Sequence, residues 1–421
     1  MILPLAYGRG TLTVELPDAQ TTVIEPTAQP ALPDERAALI AALESPIDAA
    51  PLRSWIRKDA RVCIVHTDIT RATPNERLIP WLLDYLREAG AEPEQITLLN
   101  GTGTHRPNTR AELEEMLTPE VVANYRCVNH ECEDTASLRP FGTTRSGAPA
   151  LLNRHVAEAD VRIITGFIEP HFFAGFSGGP KGIMPAVAGL ATVQSNHGAG
   201  QIGDVRATFG VTQGNPIWEE MRDIALRVGP SFLINVTLDH HRALTGVFAG
   251  DLLAAHRAGC EFVRRSAMQP QSAPYDIVLT TNSGYPLDMN LYQAVKGMRA
   301  AELIVRDGGL ILMAAECSEG VPDGSPHDRL LRSSSSPEDI LQKIAEPGFA
   351  WPEQWQSQIQ SLIQRRAEVQ LHSSLPDATV RAAHLVPCRD IAASVAARLT
   401  PSTRLAVLPQ GPLTIPYLNG H

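Results

Sequence analysis

Apolar and polar positions follow two periods along the chain. Short apolar runs suited to buried strands, Val62 to Val65, Ile96 to Leu99, Val161 to Thr165 and Phe232 to Leu238, alternate with stretches whose apolar residues recur at helical spacing. This strand–helix–strand rhythm predicts an α/β fold with largely parallel sheets. Helix starts are marked at several points. Thr73 with Glu76 and Thr109 with Glu112 have the spacing of a capping box, Pro74 suits a first helical position, Asn215-Pro216 opens another helix, and a long helix runs from Asp251 to about Arg265. Pro80 should kink the first of these. The polar, proline-bounded segment Ser266 to Pro274 reads as a linker. A second α/β pattern follows, with strands at Ile277 to Thr281, Leu310 to Ala314, His384 to Val386 and Leu405 to Leu408, helices around Tyr292, Ile340, Ile359 and Ile391, and a polar loop at Ser333 to Ser336. The expected organisation is an N-terminal α/β domain over 1–265, a linker over 266–275 and a C-terminal α/β domain over 276–421, with the active-site cleft between the domains.

Composition narrows the function. A chain of 421 residues exceeds what a single growing core serves well, which agrees with two domains. Hydrophobic residues at 43%, charged residues at 19% and a mean hydropathy of −0.09 describe an ordinary globular protein. No apolar run is long enough for a membrane span, and the first residues lack the basic-then-apolar pattern of a secretory leader, so a cytoplasmic protein with no membrane partner is expected. Six scattered cysteines suit reduced thiols. The net charge of −10 argues against nucleic acid as a partner. An anionic ligand would then have to be held by local positive groups.

Such groups cluster after the strands. Asp68-Ile-Thr70-Arg71 follows one strand and Gly101-Thr-Gly-Thr-His105-Arg106 the next, at the carboxyl edge where α/β sheets bind ligands. After the third strand comes Glu169-Pro-His171-Phe-Phe-Ala-Gly175-Phe-Ser177-Gly178-Gly179-Pro-Lys181, where glycines would bring backbone N–H groups to an anion and lysine would add charge. It is not a P-loop, because Gly182 rather than a hydroxyl residue follows the lysine. Gly175-x-Ser177-x-Gly179 also fits a nucleophile elbow, which would make Ser177 a hydrolase nucleophile. Asn196-His197 offers one imidazole to a metal. Cys127-x-x-His130-x-Cys132 has the wrong spacing for structural zinc, and Asp239-His240-His241 reads as a turn more readily than a metal site. In the second domain Gln293 and Lys296, beside Tyr292, share a helix face suited to a small polar substrate. Trp355 is a core or pocket residue, with Trp351 as the competing choice. On these residues alone a serine or zinc hydrolase and a non-catalytic phosphate-binding protein both stay open.

Taken together, Asp68-x-Thr70-Arg71, Thr104-His105-Arg106, the run from Glu169 to Lys181, Asn196-His197 and Tyr292-Gln293-x-x-Lys296 resemble the lactate racemase family in order and spacing. The resemblance implies racemisation of a 2-hydroxyacid, either lactate or a larger acid such as malate, phenyllactate or an aldonate. It implies a nickel pincer nucleotide cofactor (pyridinium-3-thioamide-5-thiocarboxylic acid mononucleotide), supplied by cofactor-biosynthesis proteins. By the same resemblance Lys181 forms the covalent tether and His197 binds nickel. Asp68, Thr70, Arg71, Ser177, Gly178 and Gly179 surround the cofactor, and His105 and His171 are the two acid–base groups. Arg71, Tyr292, Gln293, Lys296 and Trp355 meet the substrate. Where family members tend to read Pro-Gly after the lysine, this chain has Pro185-Ala186.

Overall fold

The structure, a computed structural model, describes residues 1–239 and 241–419. Two six-stranded sheets organise it. The first runs Leu244–Asp251, Phe232–Leu238, Val161–Phe167, Val62–Thr67, Ile96–Gly101, Arg126–Asn129, parallel throughout except that Leu244–Asp251 returns antiparallel to its neighbour. The second, fully parallel, runs Val386–Pro387, Glu368–His372, Val305–Ala314, Tyr275–Thr281, Leu405–Leu408, Thr21–Val23.

Period-two alternation assigns each strand's faces. Cys63 and Val65 enter a large apolar cluster that also takes Ile164, Phe176, Val278 and Trp355, whereas Val62 and Ile64 face a second cluster with Leu78, Leu82 and Leu98. Ile277 and Leu279 face a third cluster with Leu310, Leu405 and Val407. That third cluster is closed by Leu5 and Val14 from the N-terminal hairpin Ile2–Tyr7 and Gly10–Glu15, and by Leu16 just after it. The first two dozen residues, grouped from the sequence with the N-terminal domain, thus pack on the second sheet and give it an edge strand. The expected linker is also ordered: Met268–Gln271 pairs with Ile415–Leu418.

Local signals hold where the side chain is free to serve its own helix. Thr109 and Glu112 form both bonds of the capping box before Arg110–Leu117. Thr73 does not; the helix is Asn75–Glu88, its N-cap is Pro74, and the Asn75 side chain instead donates to the Thr67 carbonyl at 3.0 Å. Pro80 lies within this continuous helix.

The topology also locates a crevice. Successive strands run outward from Val62–Thr67 to Arg126–Asn129, and the chain then crosses to the other side of Val62–Thr67 to lay down Val161–Phe167. Loops leaving the carboxyl ends of those two strands diverge, which opens a cleft at the switch point. They are the Asp68–Arg71 and Ile168–Lys181 segments.

Candidate active site

One cavity at this switch point is lined by Asp68, Thr70, Arg71, His105, His171, Ser177, Gly178, Gly179, Lys181 and His197 from the first sheet's loops. Tyr292, Gln293, Lys296 and Trp355 close it from the second unit. Every site residue expected from the sequence therefore reaches the same space. Tyr292, Gln293 and Trp355 belong to the first turns of the helices Leu291–Glu302 and Gln354–Arg366, whose amino ends add positive potential, and Lys296 follows one turn on. Arg106 turns away and pairs with Glu112. Trp351 is outside, with its indole donating to the Pro326 carbonyl.

The two candidate acid–base histidines are held differently. His105 Nδ1 lies 2.7 Å from Asp68 Oδ2, and Thr70 donates to Asp68 Oδ1 at 2.8 Å. Asp68 is almost fully buried; burial opposes its ionisation, but the His105 bond, Arg71 and Thr70 outweigh it and lower its pKa. A carboxylate accepts only, so His105 carries its proton on Nδ1 and offers the lone pair of Nε2. His171 is the reverse. Its Nδ1 accepts the Ala174 backbone N–H at 3.2 Å, so the neutral ring carries its proton on Nε2. Burial, with Lys181, Arg71 and Lys296 nearby, pushes His171 well below the usual histidine range.

Positive charge dominates the cavity floor. Lys181 keeps some exposed surface because it faces the cavity, yet protein surrounds it. That burial, with Arg71 and Lys296 adding to it and Glu169 opposing, lowers its amine to about 7. Lys296 falls to about 8 for the same kind of reason. At about 7 the Lys181 amine is divided between a cationic form and a neutral, nucleophilic one near pH 7. His197 is buried, held edge-on against the Phe173 and Trp355 rings at 5.0 and 4.9 Å between centroids, and lowered to about 3 by burial and Lys181.

Three amides of the glycine loop are bonded within the protein. Ser177 N–H goes to the Glu169 carbonyl, Gly179 N–H to Asn235 Oδ1 at 2.8 Å, and Lys181 N–H to the Gly178 carbonyl. These amides stabilise the loop itself and are not turned toward a ligand. The glycines are required for shape. Gly178 and Gly179 have φ of +74° and +56°, and a Cβ would fall 2.4 Å from Asn235 Oδ1 and 2.3 Å from the His256 ring. Gly179→Ala is expected to cost about 2–4 kcal/mol, measured by urea unfolding, because left-handed strain adds to a clash with a packed ring.

Ser177 is not poised as a nucleophile. Its hydroxyl receives the Glu169 N–H at 2.9 Å and donates to the Phe167 carbonyl at 3.0 Å, while His256 meets Ser177 at the carbonyl and not at the hydroxyl. The hydrolase reading fails on this geometry. His130, from the Cys127–Cys132 motif, uses both ring nitrogens in contacts to Ala188 and Asn153. Among the described residues no group of three His, Cys, Asp or Glu side chains is arranged to hold a metal. Asp239 caps its own turn through His241 and Ala243 N–H, and His240 lies outside the described residues.

Several lining residues were not singled out from the sequence: His66, Phe173, Asn235 and Gln356. Asn235 had a usable signal, since an asparagine inside the apolar strand Phe232–Leu238 must find a partner when buried. Among the described residues His66 Nε2 and Gln356 Oε1 are buried with no hydrogen-bond partner, as expected of groups at a ligand site.

Comparison with known proteins agrees with this arrangement. The lactate racemase N-terminal domain model matches residues 7–210 and the C-terminal domain model residues 270–414. The lactate racemase of Thermoanaerobacterium thermosaccharolyticum is 36% identical over 362 residues, 85% of this chain and 84% of that protein. That of Lactiplantibacillus plantarum is 36% identical over 361 residues, covering 85% of each. The solved lactate racemase apoprotein from T. thermosaccharolyticum superimposes with a TM-score of 0.92 at 32% identity, covering 99% of this chain and all of that one. A Thermotoga maritima protein, at 19% identity and TM-score 0.71 over 93% of this chain, shares the fold. With matching domain models along most of its length and relatives at this identity, the chain belongs to the lactate racemase family.

Proposed function

We propose that this protein racemises a short-chain 2-hydroxyacid, lactate or a close relative, using a nickel pincer nucleotide joined covalently to Lys181 and ligated through His197. The observation that carries the reading is the convergence on one cavity of two oppositely held histidines, His105 and His171, around the buried amine of Lys181. The chain's groups fit the cofactor. Lys181 supplies an amine nucleophilic near neutrality, and His197 supplies one imidazole to a metal whose other donors come from the nucleotide. Arg71 adds positive charge for its phosphate or for substrate. Loading requires the proteins that make the cofactor.

When bound, the pyridinium ring supplies a hydride acceptor, which spares the enzyme from removing a weakly acidic α-proton. The side chains do the rest. Lys296 and Arg71 provide the charge that holds the substrate carboxylate, with Gln293 and Tyr292 beside them. His105 takes the hydroxyl proton of one enantiomer on Nε2, and Asp68 stabilises the resulting imidazolium. His171 serves the opposite enantiomer. It gains or loses a proton only with hydrogen on Nδ1, so the Ala174 amide has to move off the ring as this residue turns over. Trp355 and Tyr292 exclude water from the planar oxoacid. A larger hydroxyacid such as malate, phenyllactate or an aldonate would use the same groups.

The test is chiral analysis of L-lactate incubated with chain co-produced with the cofactor-making proteins, alongside His197→Ala. Expected are a racemic mixture from the parent, and from the variant an intact nucleotide adduct with nickel lost and racemisation reduced at least ~100-fold. Racemisation by nickel-free chain would overturn the cofactor assignment. A loaded chain inert on lactate but active on a larger hydroxyacid would move the substrate alone.

A further inference from the structure

Behind His197 lies a polar chain with no exposure to solvent. Asn196, the last residue of the helix Leu190–Asn196, and Glu220, in the helix Pro216–Leu226, are 0% and 1% exposed. Asn196 Nδ2 reaches the Ile217 carbonyl at 3.1 Å and Glu220 Oε2 at 2.9 Å. Glu220 also receives Gln201 Nε2 at 3.1 Å and the Arg145 backbone N–H. Its partners are all N–H donors, a set that matches a carboxylate, which only accepts. Those two acceptors leave the Asn196 amide one orientation, with Oδ1 facing His197 Nδ1 at 3.0 Å. That nitrogen must then bear the proton.

We propose that Glu220 and Asn196 are positioning residues for His197, fixing the ring in the tautomer whose Nε2 is an open lone pair. The use of that lone pair by a metal rests on the function proposed above. Phe173 and Trp355 meet the ring edge-on and restrict its tilt, which leaves a half-turn flip as the remaining error. The Asn196 bond opposes that flip, because a flipped ring would bring a carbon to Oδ1. A carboxylate pulling on the far side of the amide also makes Oδ1 a stronger acceptor and Nε2 a stronger electron-pair donor. Burying a carboxylate and an amide here is costly unless every group is bonded, and the bonds converge on one imidazole.

The test uses the full chain in two forms. In apo protein with ¹⁵N-labelled histidine, long-range proton–nitrogen correlation should show His197 with its proton on Nδ1, and Asn196→Leu should convert it to a tautomer mixture. In loaded protein, Asn196→Leu and Glu220→Gln should each lose nickel to a chelator about 10–100-fold faster than the parent, with the Lys181 adduct unchanged by intact mass. The tautomer change in the apo protein is a readout that a merely structural role would not move. An Nε2–H tautomer in the parent, or parental nickel retention in folded single variants, would overturn the proposal. If the parent carries neither adduct nor nickel, the functional reading falls instead, and the apo tautomer still decides the positioning role.

Discussion

Lys181→Ala is expected to give a folded chain with no nucleotide adduct and racemisation reduced by at least ~10³-fold, the scale on which losing a positioned reactant is felt. Folding should survive because the substitution removes a cation from beside two others, Arg71 and Lys296, at the wall of a cavity. Lys181→Arg separates charge from bond formation. It keeps a cation in place but has no neutral amine at working pH, so it should fail as completely as alanine. Intact-mass measurement of the three proteins, co-produced with the cofactor-making proteins, reads the outcome. An adduct retained in either variant would place the tether elsewhere.

The second large effect is expected at Asp68. Asparagine is nearly the same size, but its amide can turn N–H toward His105 Nδ1 and so force the ring proton onto Nε2. The lone pair is then on the wrong nitrogen. Asp68→Asn should lower kcat ~10²–10⁴-fold with little change in KM, since the carboxylate contacts His105 and Thr70 rather than the substrate. Steady-state rates in both directions check it. A loss confined to KM would make Asp68 a substrate-binding group.

Much of this was legible in the sequence. Parallel strands buried on both faces are near-continuous apolar runs, so Val62–Thr67, Ile96–Gly101 and Val161–Phe167 are plain, and the residues after them fall at the ligand edge by topology alone. Less is visible where the partner is distant in sequence. Glu368–His372 carries only two apolar residues, and Thr21–Val23 is too short to declare itself. The helix Gln354–Arg366 reads as polar, yet Gln356, Gln358, Gln360 and Ser361 are buried. The glycine loop shows the limit most clearly. Its composition announces flexible backbone near an anion, but Asn235 claims the Gly179 N–H, and nothing local to the loop reveals that. The Thr73 signal failed for a related reason: Asn75 pins the preceding strand's end, which delays the helix.

The edge strand Thr21–Val23 pairs with Leu405–Leu408, so the second sheet is built from segments far apart in sequence. During synthesis Thr21–Val23 precedes Leu405–Leu408 by most of the chain, and the hairpin carrying Leu5 and Val14 waits unsheltered until Ile277 and Val407 emerge. The first sheet has all its strands once Leu244–Asp251 is made, whereas the second waits for Leu405–Leu408. A fragment starting at the linker would therefore lack its outer strand and expose one face of its core, so the unit that closes the cavity cannot be supplied intact as a separate piece.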